Sequence, residues 1–171
     1  MICFRSMKKW LWIYILIIGI IIMPVALCFA QGGSIRGSLG FETDNGKVIH
    51  GDWIRVLLVT EKFEVKKDKK IFDMDKHKRM EAIMNAHIDF FKKVRKMMEN
   101  PRYVTASTLT TSDGAFRFAD VKAGKYYIVI TFPAIINGCK VAWQVPVLVC
   151  TGETTYIELN NDNMALPTYS R

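Results

Sequence analysis

Histidine is scarce in this chain, three residues in 171, and cysteine is nearly as rare, at four. Neither is arranged for chemistry. There is no CxxC, no CxxCH and no Cys/His cluster at zinc spacing, which removes zinc-ribbon, haem-attachment and thioredoxin-type readings. GxSxG, HxxE, HExxH, P-loop and GxGxxG sequences are absent too, so the common hydrolase, zinc-peptidase and nucleotide-binding signatures are missing. No repeat at solenoid or propeller spacing is visible. Acidic residues are the minority, 16 against 24 Lys+Arg, for a net charge of +8. What is plentiful is apolar: half of the residues are hydrophobic, with ten Phe and four Trp. That excludes wholesale disorder, and the length suits one domain at roughly 150 residues each. The charge points to nucleic acid, an anionic surface or an acidic partner, but a bulk value does not say where it sits.

The one long hydrophobic run is N-terminal. Arg5, Lys8 and Lys9 precede an unbroken apolar stretch from Trp10 to Met23, which Pro24 ends, and Ala30 precedes Gln31. A basic n-region, an apolar h-region and a small residue at the end make residues 1–30 a signal peptide cut near Ala30. An uncleaved anchor is the alternative, since Trp10 to Ala30 approaches the roughly 20 residues that span a bilayer; a lipoprotein at Cys28 is a third, with Leu27 where a small residue is usual. All three place residues 31–171 outside the cytoplasm, in a periplasm or beyond. Nucleic acid is then disfavoured as a partner. Removing the leader leaves Cys139 and Cys150 in a compartment that permits disulfides. One straight strand from Lys140 to Val149 would hold its ends about 30 Å apart, beyond disulfide reach. A reversal near Gln144–Pro146 would let them face each other. The straight strand, with unpaired buried cysteines, is the preferred reading.

The exported part alternates short strands with turns. Strands are expected around Ile35–Leu39, Trp53–Thr60, Tyr103–Thr111, Phe116–Phe118, Lys125–Thr131, Val141–Val149 and Thr154–Leu159. Pro146 marks the sixth as an edge strand or a bulge. Asp44-Asn45-Gly46 and Ser112-Asp113-Gly114 are turns, and Phe132–Gly138 reads as a loop. One helix interrupts the series, from Asp73 to Asn100, capped by Asp73 or Asp75 and stopped by Asn100-Pro101. Met80, Met84, His87, Phe91, Val94 and Met98 form its apolar stripe, widened by Ile83, Phe90 and Met97. The expected architecture is a seven-stranded antiparallel immunoglobulin-like β-sandwich with one inserted helix. Its core is expected to hold Ile35, Trp53, Val56, Leu58, Phe116, Phe118, Val121, Tyr126, Ile128, Ile130 and Leu159. The polar tail 161–171 is expected to be poorly ordered.

The stretch Thr110 to Tyr126, TTSDGAFRFADVKAGKY, closely resembles the T-x-x-D-G-x-F-x-F-x-x-V-x-x-G-x-Y pattern of the carboxypeptidase regulatory-like domain. Gly33-Ser34-Ile35-Arg36-Gly37 resembles that family's first strand, and Val147–Leu159 its last pair. The resemblance covers most of 33–160 within a domain expected at 31–160, apart from the helical insert at about 62–102. It implies a transthyretin-like, prealbumin-like sandwich in which Asp113 and Gly114 reverse the chain, Phe116 and Phe118 fill the core, Gly124 turns and Tyr126 packs. The family implies non-enzymatic modules that serve stability, interaction and sometimes glycan binding, so no catalytic residue or cofactor carries over.

Outside that motif the candidates are few. His77 and Glu81 share a helix face without further ligands, His87 lies on the apolar stripe, and His50, Asp44 and Asp52 occupy turns that do not match a calcium loop. The methionines suggest copper or a promiscuous groove less readily than a core face. Charge is the remaining signal. Residues 62–102 hold 13 basic and 7 acidic residues, so the insert carries essentially all the net charge of the exported part. Lys78, Arg79, Lys92, Lys93 and Lys96 on helix 73–100 therefore form a candidate anion-docking surface for an acidic glycan, an anionic membrane or an envelope protein. A non-catalytic envelope module is the leading reading, a carbohydrate- or anion-binding module the next, and a small transthyretin-like hydrolase the last, since that needs several converging histidines.

Overall fold

The structure, a computed structural model, describes residues 32–65, 71, 73–131 and 134–170; the leader expected at 1–30 and the charged stretch Lys66-Lys67-Asp68-Lys69-Lys70 of the insert lie outside them. In chain order the strands are β1 (Gly33–Glu42), β2 (Val48–His50) and β3 (Arg55–Val59), followed by the helix α1 (Lys76–Met98). Then come β4 (Val104–Leu109), β5 (Ala115–Val121), β6 (Gly124–Ile130), β7 (Ile135–Ile136), β8 (Cys139–Lys140), β9 (Trp143–Val149), β10 (Thr154–Leu159) and β11 (Tyr169–Ser170). The chain is mainly β with one described helix, a β-sandwich as expected. It has more strands than seven because short pairs form where loops were expected. Asn137 and Gly138 adopt φ of 50° and 74°, the left-handed pair that a two-residue hairpin turn demands, and β7, within the expected loop, pairs with β8 across them.

Two sheets build the sandwich. One runs β10-β1-β2 with β5 also on β1, and the other runs β4-β3-β6-β9. The expectation of a wholly antiparallel sandwich is corrected at one place, where β1 pairs β10 in parallel. Residues far apart in sequence meet there, a pairing that no local hairpin signal announces. Pro146 sits on β9, an edge of the second sheet, where a missing N–H costs no ladder bond. Between the sheets lie Ile35, Leu39, Val56, Leu58, Phe116, Phe118, Tyr126, Ile128, Trp143 and Leu159, all buried.

Alternation along β3 adds a third layer. Val56 and Leu58 point into the sandwich, while Leu57 and Val59 point the other way and join a second cluster with Phe63, Phe90, Val94 and Met97. Helix α1 thus covers the outer face of the second sheet. Asp75 caps it, accepting from the backbone N–H groups of His77 and Lys78, and those bonds hold its carboxyl below the ordinary range. The expected stripe is rotated. The buried residues are Ile83, His87, Phe90, Val94 and Met97, whereas Met80, Met84 and Met98 are exposed. Met97 is the one methionine of the expected stripe that packs on the sheet, and the other three flank it.

Three further expectations are corrected. Trp53 is 72% exposed and not a core residue. The tail is packed: Asn160 caps a short 3₁₀ turn, Asn161–Asn163, Ala165 and Leu166 are buried against α1's cluster, and β11 pairs β8. Cys139 and Cys150 are unpaired, as read, but half-buried rather than buried, and the expected straight strand is interrupted between β8 and β9.

His87, 2% exposed, ties tail to helix through a 2.8 Å hydrogen bond between Nε2 and the Pro167 carbonyl. Burial is the main cause that holds its pKa below the ordinary value, and Lys140 adds to it. The folded protein therefore keeps His87 neutral. The unfolded chain binds the proton from about pH 6.5 downward, so stability is complete above that pH and declines as pH falls below it. The melting temperature is expected to drop between about pH 7 and pH 5, and His87→Gln is expected to flatten that slope.

Candidate functional site

The alternation that buries Val56 and Leu58 sends Trp53 and Arg55 to the opposite side. Trp53 lies before the start of β3, outside the helix-side cluster that Leu57 and Val59 join. Its backbone is left-handed, φ 54°, a conformation that costs a bulky residue about 1–3 kcal/mol. The next residue pins it there. Ile54 N–H donates to Thr110 Oγ1 at 2.8 Å, and Thr110 N–H donates to the Ile54 carbonyl at 2.9 Å. Thr110 itself is 2% exposed, so the clamp is rigid and the indole is held out at the surface.

Beside it opens a cleft of about 480 Å³ between sheet and helix, lined by Arg55 and Leu57 of β3, Leu109 of β4, Phe91 and Met98 of α1, and Asp52, Thr131 and Ile135. Its walls are mostly apolar. Leu109, Ile135 and Met98 remain between 42% and 50% exposed, which is unusual for side chains that could have been buried. Within it the Thr131 Oγ1 is buried and has no hydrogen-bond partner among the described residues. An unpartnered buried hydroxyl costs about 1–3 kcal/mol. An aromatic face, one carboxylate, one guanidinium and one orphaned hydroxyl suit binding. A pair of carboxylates of the kind glycoside hydrolysis uses is not in the lining.

The basic surface divides. Lys92 and Lys96 are exposed on the outer face of α1. Lys93 is also exposed but donates to the Glu64 carbonyl at 2.6 Å, and Lys78 pairs with Asp75 at 3.6 Å. Arg79 is different: half-buried, it turns into a cleft at the other end of α1. His77 and Glu81 are exposed, and among the described residues no group of three His, Cys, Asp or Glu side chains is placed to hold a metal ion.

The motif residues are structural in position. Thr111 Oγ1 donates to Asp113, and this bond is the main cause that keeps the Asp113 carboxyl below its usual range. Gly114 has φ 77°, and a Cβ there would lie 2.4 Å from the Leu39 carbonyl oxygen; Gly114→Ala is expected to cost at least about 1–3 kcal/mol, read as a lowered melting temperature. Phe116 and Phe118 meet edge to face at 6.2 Å. Tyr126 is buried with its hydroxyl donating to the Lys122 carbonyl at 2.9 Å. Gly124 begins β6, and a Cβ there would lie 3.3 Å from the Tyr126 ring, so its role is close approach rather than the turn expected of it.

Sequence reasoning missed Trp53 because an aromatic at a strand start was assigned to the core. Phase along the strand gives no warning, since Trp53 shares it with exposed Arg55 and with buried Leu57 and Val59.

No family model matches the chain, and no curated protein does. Among solved structures it is similar to a candidate carbohydrate-binding protein of Pseudomonas aeruginosa, with 16% identity, a TM-score of 0.48, and coverage of 77% of this chain and 90% of that one. It is also similar to the minor pilin of the gram-positive pathogen Streptococcus agalactiae, with 11% identity and a TM-score of 0.45. That match covers 82% of this chain and 48% of the pilin.

Proposed function

We propose that the chain is an exported, non-catalytic β-sandwich module of the carboxypeptidase regulatory-like kind that binds carbohydrate in the cell envelope, with Trp53 as the stacking platform. The observation that carries the reading is Trp53 itself: a clamped, left-handed, solvent-facing indole at the mouth of a cleft with an unpartnered hydroxyl inside. Indole faces bind the apolar C–H face of a pyranose, and Asp52, Arg55 and Thr131 supply the acceptors and donors that ring hydroxyls require. Gly114 in its turn and the buried Phe116, Phe118 and Tyr126 support the family reading, because these positions act as that motif implies.

A panel of cellohexaose, chitohexaose and hyaluronan tests it by titration calorimetry. At least one is expected to bind saturably, and Trp53→Ala is expected to weaken it tenfold or more with the melting temperature unchanged. Binding that survives Trp53→Ala sinks the reading. A second reading rests on Lys92 and Lys96, which stand exposed without a partner among the described residues: acidic glycans or anionic vesicles dock along α1. It predicts salt-sensitive binding lost in Lys92→Glu/Lys93→Glu/Lys96→Glu but kept in Trp53→Ala. Export is tested separately, by N-terminal sequencing of the mature protein, which is expected to begin at Gln31; an N-terminus at Met1 in a cytoplasmic fraction overturns it.

A further inference from the structure

A second cleft, about 530 Å³, lies at the start of α1, away from Trp53, and is lined by Lys76 and Arg79 of the helix, Thr43 and Asp44 of the β1–β2 turn, Cys139 of β8 and Thr168 of the tail. Its apolar wall is Phe41, Met80 and Ile83. The helix N–H groups are not the attraction, since Asp75 already occupies them. Arg79 is. One guanidinium nitrogen, Nη2, donates to the Met74 carbonyl at 3.1 Å, while the Nε–H is buried with no partner among the described residues. A buried N–H on a cation is a costly group to leave unpaired. Asp44 does not relieve it: it forms no ion pair with Arg79 or Lys76 among the described residues. The lining thus carries two cations against one carboxylate, beside hydroxyls and an apolar wall.

We infer that this cleft binds an organic anion: a carboxylate received by the Arg79 guanidinium and the Lys76 ammonium, carried on an apolar body that lies against Phe41, Met80 and Ile83. Guanidinium suits the task because its planar fork meets a carboxylate with parallel N–H bonds. The apolar wall sets the other requirement, so a bare inorganic anion is a poor ligand and a neutral chain lacks the head group. The inference does not depend on the saccharide reading, since no lining residue is shared between the two clefts.

Calorimetry on the full chain tests it with four probes: octanoate, acetate, octanol and octylamine. Octanoate is expected to bind saturably, and each of the other three at least tenfold more weakly. Arg79→Met keeps the aliphatic stem and is expected to weaken octanoate tenfold or more while the near-ultraviolet signal of Trp143 stays native. The Arg79 Nε–H resonance gives a reading that needs no mutation, and octanoate is expected to shift it. Vesicles of neutral lipid doped with oleate separate sources: binding to the doped vesicles but not to octanoate moves the ligand from a free acid to a membrane surface and overturns the cleft. Octanol binding as tightly as octanoate, or an unmoved Nε–H resonance at saturation, also overturns it.

Discussion

Trp143→Ala is expected to destabilise the protein by about 3–5 kcal/mol, the largest effect of any single truncation in the sandwich. Trp143 is the largest of the fully buried side chains. It starts β9 opposite Ile130 and bridges to Met164, and its indole N–H donates to the Asn160 carbonyl at 2.8 Å. Removing it leaves a cavity in the middle of the core and orphans that carbonyl. The polar loss adds to the apolar one, because the part-buried Asn160 carbonyl loses its donor. The carbonyl belongs to the residue that caps the 3₁₀ turn, so the tail is expected to loosen with the core. Since domains of this size are stable by only about 5–15 kcal/mol, the variant loses a large share of its stability. Urea unfolding followed by far-ultraviolet circular dichroism measures it; a midpoint within error of the parent refutes the placement of Trp143.

Trp143 is missing from the core expected from the sequence, which holds the exposed Trp53 instead. The regular spacing of β-branched strands and the Asp113-Gly114 turn were enough for the sandwich, because alternation reports directly which face is buried. The pairing of β1 with β10 was not readable, since a parallel contact across more than a hundred residues leaves no local mark. The packed tail was unreadable for a related reason: Ala165 and Leu166 are too few to form a pattern, yet two side chains and the His87–Pro167 bond suffice to dock them. At the site, composition led toward the lysines of α1, which are numerous and solvated. The cleft residues are solitary: Trp53, Thr131 and Arg79 each matter through an exposure or an orphaned polar atom, and such facts exist only once neighbours are placed. Arg79 was named with the other cations, but its separation from them depends on the turn of the helix that buries it.

Phe90→Ala is expected to cost about 3–5 kcal/mol as well, by a different route. Phe90 is 3% exposed and meets Phe63 edge to face at 5.8 Å. Phe63 is in turn held to the second sheet by two bonds with the Gln144 side chain, at 2.9 and 3.0 Å. Phe90 is therefore the central peg of the helix layer, and the sandwich core on the far side of β3 does not touch it. Loss of the ring is expected to loosen α1 before the sandwich, seen as faster amide exchange across Lys76–Met98 than across β3 and β6. The Trp53 cleft draws Phe91 and Met98 from that helix and Leu57 and Leu109 from the sheet, so it cannot keep its shape when the layers part. Saccharide binding is thus expected to fall in Phe90→Ala together with stability, whereas Trp53→Ala loses binding alone. If Phe90→Ala binds as the parent does while its helix exchanges freely, the helix wall is not part of the site, and Trp53 with the sheet residues carries binding without it.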